Sequence, residues 1–279
     1  MLLKTINDID IISFQSRNTS IGLIPTMGAL HKGHLSLIEQ AMHNCDRVVV
    51  SIFVNPTQFN DPNDLSKYPR TLNRDFKSIQ KINKDIIIYA PSVDEIYPKG
   101  VKSDYYDLGS LSKYMEGKYR AGHFDGVATV LNRLFELLKP DKAYFGEKDY
   151  QQLAVVRKLV QLTKKNIDII GCQTYREPNG LAKSSRNKLL DKNDKQRAAL
   201  IYECLKLAKS NFETQPVSEI KKMVKSAFLS SENLKLEYFE IASIDDLIPT
   251  EEIQPNKKYR AFIAAYCSGV RLIDNIALN

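Results

Sequence analysis

Two histidines three positions apart, His31 and His34, enclose Lys32 and Gly33 directly after the stretch Pro25-Thr26-Met27-Gly28-Ala29-Leu30. Imidazole N–H groups at that spacing can be aimed at one triphosphate, and Gly28 and Gly33 permit close backbone approach. The alternative is a pair of loop histidines acting as metal ligands, although a metal site needs more ligands and no His/Cys cluster is visible. Further along, Lys183-Ser184-Ser185-Arg186 follows Gly180. Two hydroxyls and a guanidinium suit phosphate binding on a closing loop, while taken alone the stretch also reads as a solvated polar loop. Lys183 either adds a phosphate contact or points to solvent.

A third set is Gly146-Glu147-Lys148-Asp149, followed by Gln151 and Gln152. Lys148 is a natural phosphate counter-charge, and either glutamine can hold a hydroxyl or carboxylate; the alternative is an ordinary capped helix with an exposed lysine. Asn55 and Gln58 stand where a strand ends, a place that supplies neutral groups for orienting substrates, though Asn-Pro alone is usually a turn. Asp75 is either a Mg²⁺ carboxylate or part of a surface helix start. The Arg120–Gly126 loop either covers a site or lets His123 cap the helix after it.

The elements that must position these groups alternate. Ile21–Pro25 is a buried strand, and from His34 the residues Leu35, Leu37, Ile38, Ala41 and Met42 recur at helical spacing. Arg47–Val54 is a β-branched run without polar alternation, as in a parallel strand covered on both faces. Loop and helix over 64–84 and a strand over 85–91 follow, then a helix in 122–140 stopped by Pro140. A strand at 143–145, a helix capped by Asp149 and a strand over 167–175 complete the pattern. This predicts an α/β domain over 1–176, a parallel sheet with helices on both faces, in which His31–His34 lies between strand and helix, where phosphates bind. Over 177–279, helices at 192–211 and 217–230 and strands at 234–242, 259–268 and 271–278 predict a smaller antiparallel α+β domain.

Composition narrows the class. The chain has 279 residues, 43% hydrophobic and 26% charged, which is ordinary for a globular enzyme. Its net charge of +7 is dispersed, without a basic tail, so it favours anionic small molecules weakly and gives no case for nucleic acid. No apolar run reaches the roughly 18 residues of a membrane span, and Met1–Asp8 is too polar to start a signal peptide. A cytoplasmic location is expected. Four scattered cysteines without a CxxC pair read as buried thiols.

HxGH followed by Ser-Ser-Arg resembles the signature pair of the adenylyl-transferring Rossmann-like superfamily. Further matches are Ser51-Ile-Phe-Val-Asn-Pro-x-Gln-Phe59, Tyr68-Pro-Arg-Thr71, Gly122-His-Phe124, Phe145-Gly-Glu-Lys-Asp149, Gly180-Leu-Ala-x-Ser-Ser-Arg-Asn187 and Arg271-Leu-Ile-Asp-Asn275. In this order, over nearly the whole chain, they are similar to the pantoate–β-alanine ligase family. The resemblance implies a Rossmann-like domain with a smaller C-terminal lid, usually a homodimer requiring Mg²⁺. It implies that pantoate attacks the α-phosphorus of ATP to give pantoyl adenylate, from which β-alanine displaces AMP. It places ATP against Pro25 to His34 (Pro25, Thr26, Met27, Gly28, Ala29, Leu30, His31, Lys32, Gly33, His34), Gly146, Glu147, Lys148, Asp149, Tyr175, Lys183, Ser184, Ser185 and Arg186. Gln58 and Gln152 hold pantoate in the same reading, with Gln58 also near β-alanine, and His34 is the family's proton donor. His31, His34, Lys148 and Arg186 are then the catalytic candidates. The sequence departs from the family pattern at Lys183, where an apolar residue is expected.

Overall fold

The computed structural model describes residues 1–5 and 19–279, so part of Met1–Asp8 and of the 1–176 range lies outside the described residues. The chain divides into two compact units: 1–108 with 120–147 and 152–173, and 109–119 with 148–151 and 174–279. The second unit thus takes in two short segments that precede the cut at 176 read from the sequence.

The first unit holds a six-stranded parallel sheet in the order β1-β4-β3-β2-β5-β6. Its strands are β1 (Leu2–Leu3), β2 (Ile21–Thr26), β3 (Arg47–Ile52), β4 (Ile87–Tyr89), β5 (Lys142–Gly146) and β6 (Asp168–Cys172). Leu23 and Ile24, and Val49 and Val50, are fully buried although successive side chains point to opposite faces, which is why β2 and β3 read as unbroken apolar runs. From β2 the chain steps to β3 and on to β4, then returns to the other side of β2 as β5. That reversal puts the carboxyl ends of β2 and β5 beside a topological switch point.

The helices between strands follow their apolar stripes. α1 (Lys32–Asn44) buries Leu37, Ile38 and Ala41, and α2 (Leu72–Ile82) buries Asp75 and Ile79, one turn apart. The predicted loop before α2 contains a further short helix, Pro62–Lys67. α3 (His123–Leu138) is buried along most of its length and ends at Lys139, which takes the left-handed φ of 43° common at helix C-termini, and Pro140 cannot continue the helix. α4 is Tyr150–Leu162. Asp149, expected as its cap, lies in a 3-10 turn and accepts a hydrogen bond from Lys148 Nζ at 3.1 Å.

The second unit is built on an antiparallel sheet of β7 (Leu234–Ser243), β8 (Tyr259–Cys267) and β9 (Val270–Ala277). Ser268 and Gly269 both have positive φ, giving the two-residue hairpin that joins β8 to β9. Two helices, α5 (Leu200–Asn211) and α6 (Val217–Leu229), cover one face through Leu205, Ala208, Ile220 and Val224 against Ile241, Ala261, Ile263 and Leu272. The helix expected over 192–211 is broken at Ala198-Ala199 into Lys192–Arg197 and α5. Cys172, Cys204 and Cys267 are buried free thiols, whereas Cys45 is half-buried with Sγ 3.4 Å from the Tyr144 hydroxyl. Among the described residues no helix is long and apolar enough to cross a membrane.

Candidate active site

β2 ends at Thr26, and the chain must turn sharply to enter α1. Gly28 and Ala29 take positive φ values of 79° and 52°, and the turned-out N–H groups of Ala29 and Leu30 donate to the two carboxylate oxygens of Asp75, each at 2.9 Å. Thr71 Oγ1 adds a third donor at 3.0 Å. A side chain at Gly28 would press on Asp75 at 3.1 Å, so glycine is required both by φ and by space. Asp75 is 1% exposed with both oxygens engaged by the turn. Among the described residues no group of three His, Cys, Asp or Glu side chains is placed to hold a metal ion.

His31 stands at the cap position of α1, and its ring stacks on that of His34 with centroids 3.9 Å apart and planes 19° apart. The His31 backbone N–H donates to His34 Nδ1 at 3.4 Å. An acceptor Nδ1 leaves the ring proton of a neutral His34 on Nε2, which makes Nε2 a donor. The pair thus sits at a helix start, where amides and dipole favour negative charge.

The tip beyond β3 is built by a polar network. Asn55 is 1% exposed: its Nδ2 donates to Gln58 Oε1 at 3.0 Å and to the Gly126 carbonyl at 3.1 Å, while its Oδ1 accepts from Tyr97 and Thr57. Its amide orients Gln58. With Oε1 so held, Gln58 presents Nε2, which contacts the weak acceptor Met27 Sδ at 3.2 Å. Gly122, not His123, caps α3; His123 is buried, with Nδ1 2.8 Å from the Gln58 carbonyl and Nε2 2.9 Å from Arg120. Gly126 lets α3 approach this tip, for a Cβ there would lie 2.4 Å from the Thr57 carbonyl oxygen.

In the second unit Gln151 is buried, donating to the carbonyls of Leu111 and Tyr114 and accepting from the Glu116 N–H, so its amide is committed to the fold. Gln152, in the first unit, is half-buried. The segment bearing Lys183-Ser184-Ser185-Arg186 is a small hairpin, with Arg176 bridged to Ala182 and the Lys183 N–H bonded to the Tyr175 carbonyl at 2.9 Å. Ser184 caps a 3-10 turn, its hydroxyl accepting from the Arg186 N–H at 3.3 Å. The Lys183 side chain does not run out to solvent: it forms a mostly buried ion pair with Glu177.

The strand segment Arg271-Leu-Ile-Asp-Asn275 matched the family pattern but carried no role in the sequence reading. Arg271 binds both oxygens of Glu116 at 2.7 and 2.8 Å and reaches Glu237, while Tyr238 donates to Glu116 at 2.8 Å. Burial opposes the guanidinium charge, but the two carboxylates overcome it and hold the Arg271 pKa above its ordinary value. Burial, then Glu116, push the Tyr238 hydroxyl well above the usual range, so it stays a donor. Asp274 accepts both arms of Arg176, at 2.5 and 3.1 Å. Burial raises the Asp274 carboxyl while Arg176 pulls against it. The available signal is two charged residues and one amide inside an apolar strand; their partners lie far off in sequence.

A parallel sheet with paired histidines at the helix start beyond its switch point defines a phosphate-binding α/β protein of Rossmann-like architecture. The model of the family described as pantoate-beta-alanine ligase matches residues 1–277. A pantothenate synthetase from Christiangramia forsetii is 50% identical over 265 residues, covering 95% of this chain and 94% of that protein. One from Flavobacterium psychrophilum is 51% identical over the same shares. The crystal structure of pantothenate synthetase from Thermus thermophilus superposes with a TM-score of 0.91 at 36% identity, covering 99% of each chain. That of the Francisella tularensis pantoate-beta-alanine ligase, complexed with beta-gamma ATP and beta-alanine, gives 0.82 at 38% identity, covering 100% of this chain and 97% of that one. The chain belongs to the pantoate–β-alanine ligase family. It is an enzyme that condenses pantoate with β-alanine using ATP.

Proposed function

We propose that the condensation runs through pantoyl adenylate. A pantoate carboxylate oxygen attacks the α-phosphorus of ATP and the bond to the bridging oxygen breaks, releasing pyrophosphate. The β-alanine nitrogen then attacks the acyl carbon, AMP leaves with its bonding pair, and the amine gives up a proton to complete the amide. A carboxylate with a pKa of about 4 is already ionised at neutral pH, so the first step needs no base. It needs in-line positioning and stabilisation of charge on the phosphates.

The observation that carries this reading is the stacked His31–His34 pair at the start of α1, with His34 Nδ1 occupied by a backbone donor. In this reading His34 donates from Nε2 to phosphate oxygen, and His31 and the turn from Met27 to Gly33 line the nucleotide. Lys148, Ser184, Ser185 and Arg186 supply further cations and hydroxyls to the phosphates. Gln58, its Oε1 held by Asn55, gives Nε2 to pantoate, and Gln152 is its second amide. Asn55 is then a positioning residue. Mg²⁺ fits poorly as a resident ion on Asp75, whose oxygens already accept three hydrogen bonds, and is read as arriving on the ATP phosphates. The amine of β-alanine, with a pKa of about 10 by analogy with lysine, loses its proton to the adenylate's own phosphate, because a His34 whose Nδ1 accepts the backbone N–H and whose Nε2 carries the proton has no lone pair left to receive it. A cytoplasmic homodimer is proposed from the family resemblance alone.

Isotope exchange between pyrophosphate and ATP tests the reading. Exchange is expected only when pantoate is present, and AMP appears on adding β-alanine. Exchange indifferent to pantoate, or an adenylate that β-alanine fails to discharge, would sink it.

A further inference from the structure

Successive residues of a strand point to opposite faces of its sheet. In β9, Leu272 faces the helix-covered core, so Asp274 lies on that side, and Arg271 and Asn275 lie on the other. Both faces carry a segment needed by the proposed chemistry. On the core side Asp274 binds the Arg176 guanidinium, which also donates to the Gly180 carbonyl at 3.1 Å and lies 3.8 Å from the centroid of the Tyr202 ring. Gly180 packs so closely on Tyr202 that a Cβ would come within 2.5 Å of it. The hairpin leading to Ser184–Arg186 is thereby seated at its base.

On the opposite face Asn275 is 3% exposed and donates from Nδ2 to the Lys148 carbonyl at 2.8 Å. Its Oδ1 accepts from Arg260, whose guanidinium stacks on Tyr150 at 3.9 Å. The segment 148–151 is thus held at its first residue by Asn275 and at its third by Arg260. The Asn275 N–H donates to Asp274 Oδ1 at 2.8 Å, linking the two supports through one carboxylate.

We propose that Asp274 and Asn275 are positioning residues that hold Lys148 and the Ser184–Arg186 loop in fixed relation as one phosphate-gripping set. The inference rests on the reading that Lys148 and Arg186 meet the phosphates of ATP. Neither support touches substrate: each acts by fixing the backbone that presents another side chain.

Steady-state kinetics of the full chain test it, with Lys148→Ala and Arg186→Ala as references. Asn275→Ala and Asp274→Asn are expected to raise the ATP KM about tenfold, the loss of roughly one buried hydrogen bond. The KM values for pantoate and β-alanine should stay within about twofold, and the double variant should fall short of the product of the singles, as coupled neighbours do. Asn275→Ser, which keeps a donor, should recover part of the loss and serves if Asn275→Ala does not fold. Equal shifts in all three KM values, or an unchanged ATP KM while Lys148→Ala responds, would overturn the positioning role. Reference variants that leave the ATP KM and kcat unaltered would overturn the underlying assignment as well.

Discussion

In the first unit one buried carboxylate, Asp75, fixes the Gly28–Leu30 turn through two backbone N–H groups, and one buried amide, Asn55, fixes Gln58 at the tip of β3. In the second unit the corresponding groups are tied to one strand across great sequence distance. Asn275 reaches Lys148 over 127 positions, and Arg271 reaches Glu116 over 155. Main-chain curvature set by a parallel sheet needs few supports. Short segments on a small antiparallel sheet have no such frame, and charged pairs with low exposure supply it.

That contrast can be broken at its strongest point first. Glu116→Ala leaves Arg271 with Glu237 as its remaining carboxylate and Tyr238 without its acceptor, so a loss of about 3 kcal/mol of stability is expected. Denaturant unfolding checks it, and a change below about 1 kcal/mol would mean the network is dispensable. His34→Ala probes the other unit by function rather than stability. Pyrophosphate exchange should fall by about a hundred- to a thousand-fold with circular dichroism unchanged, and loss of folding would make the histidine structural.

Asp75→Asn offers one acceptor where the turn needs two, at a cost of about 1–3 kcal/mol in stability. The ATP KM should rise with it. Raising Mg²⁺ should not restore activity, and restoration would return Asp75 to a metal-binding role. Lys183→Ala should matter least, because an isolated and partly accessible pair contributes less than about 1 kcal/mol. An ATP KM within about twofold of the parent is expected, and a larger rise would make Lys183 a phosphate contact.

Much of the first unit was legible because its signals are local. Leu37, Ile38 and Ala41 mark α1 by period, Arg47–Ile52 marks a strand buried on both sides, and Gly28 marks a turn that only positive φ allows. His31 and His34 could be paired from spacing, although their stacking could not. Asp75 stands out in the sequence by its charge, yet its use depends on the turn 45 and 46 positions earlier, which no spacing rule encodes. By sequence Asn55 and Gln58 are equivalent amides at a strand end; packing of α3 against their tip commits the first to holding the second.

The sequence alone determined the class of the sheet, the order of the elements and the residue types available for phosphate chemistry, since periodicity, turn residues and charge are properties of short stretches. Tertiary structure decided which polar groups remain for a ligand and which are consumed as supports. Asp75, Gln151, Asp274 and Asn275 are all polar in sequence, and only their buried partners, brought near by folding, assign their hydrogen-bonding capacity to the fold.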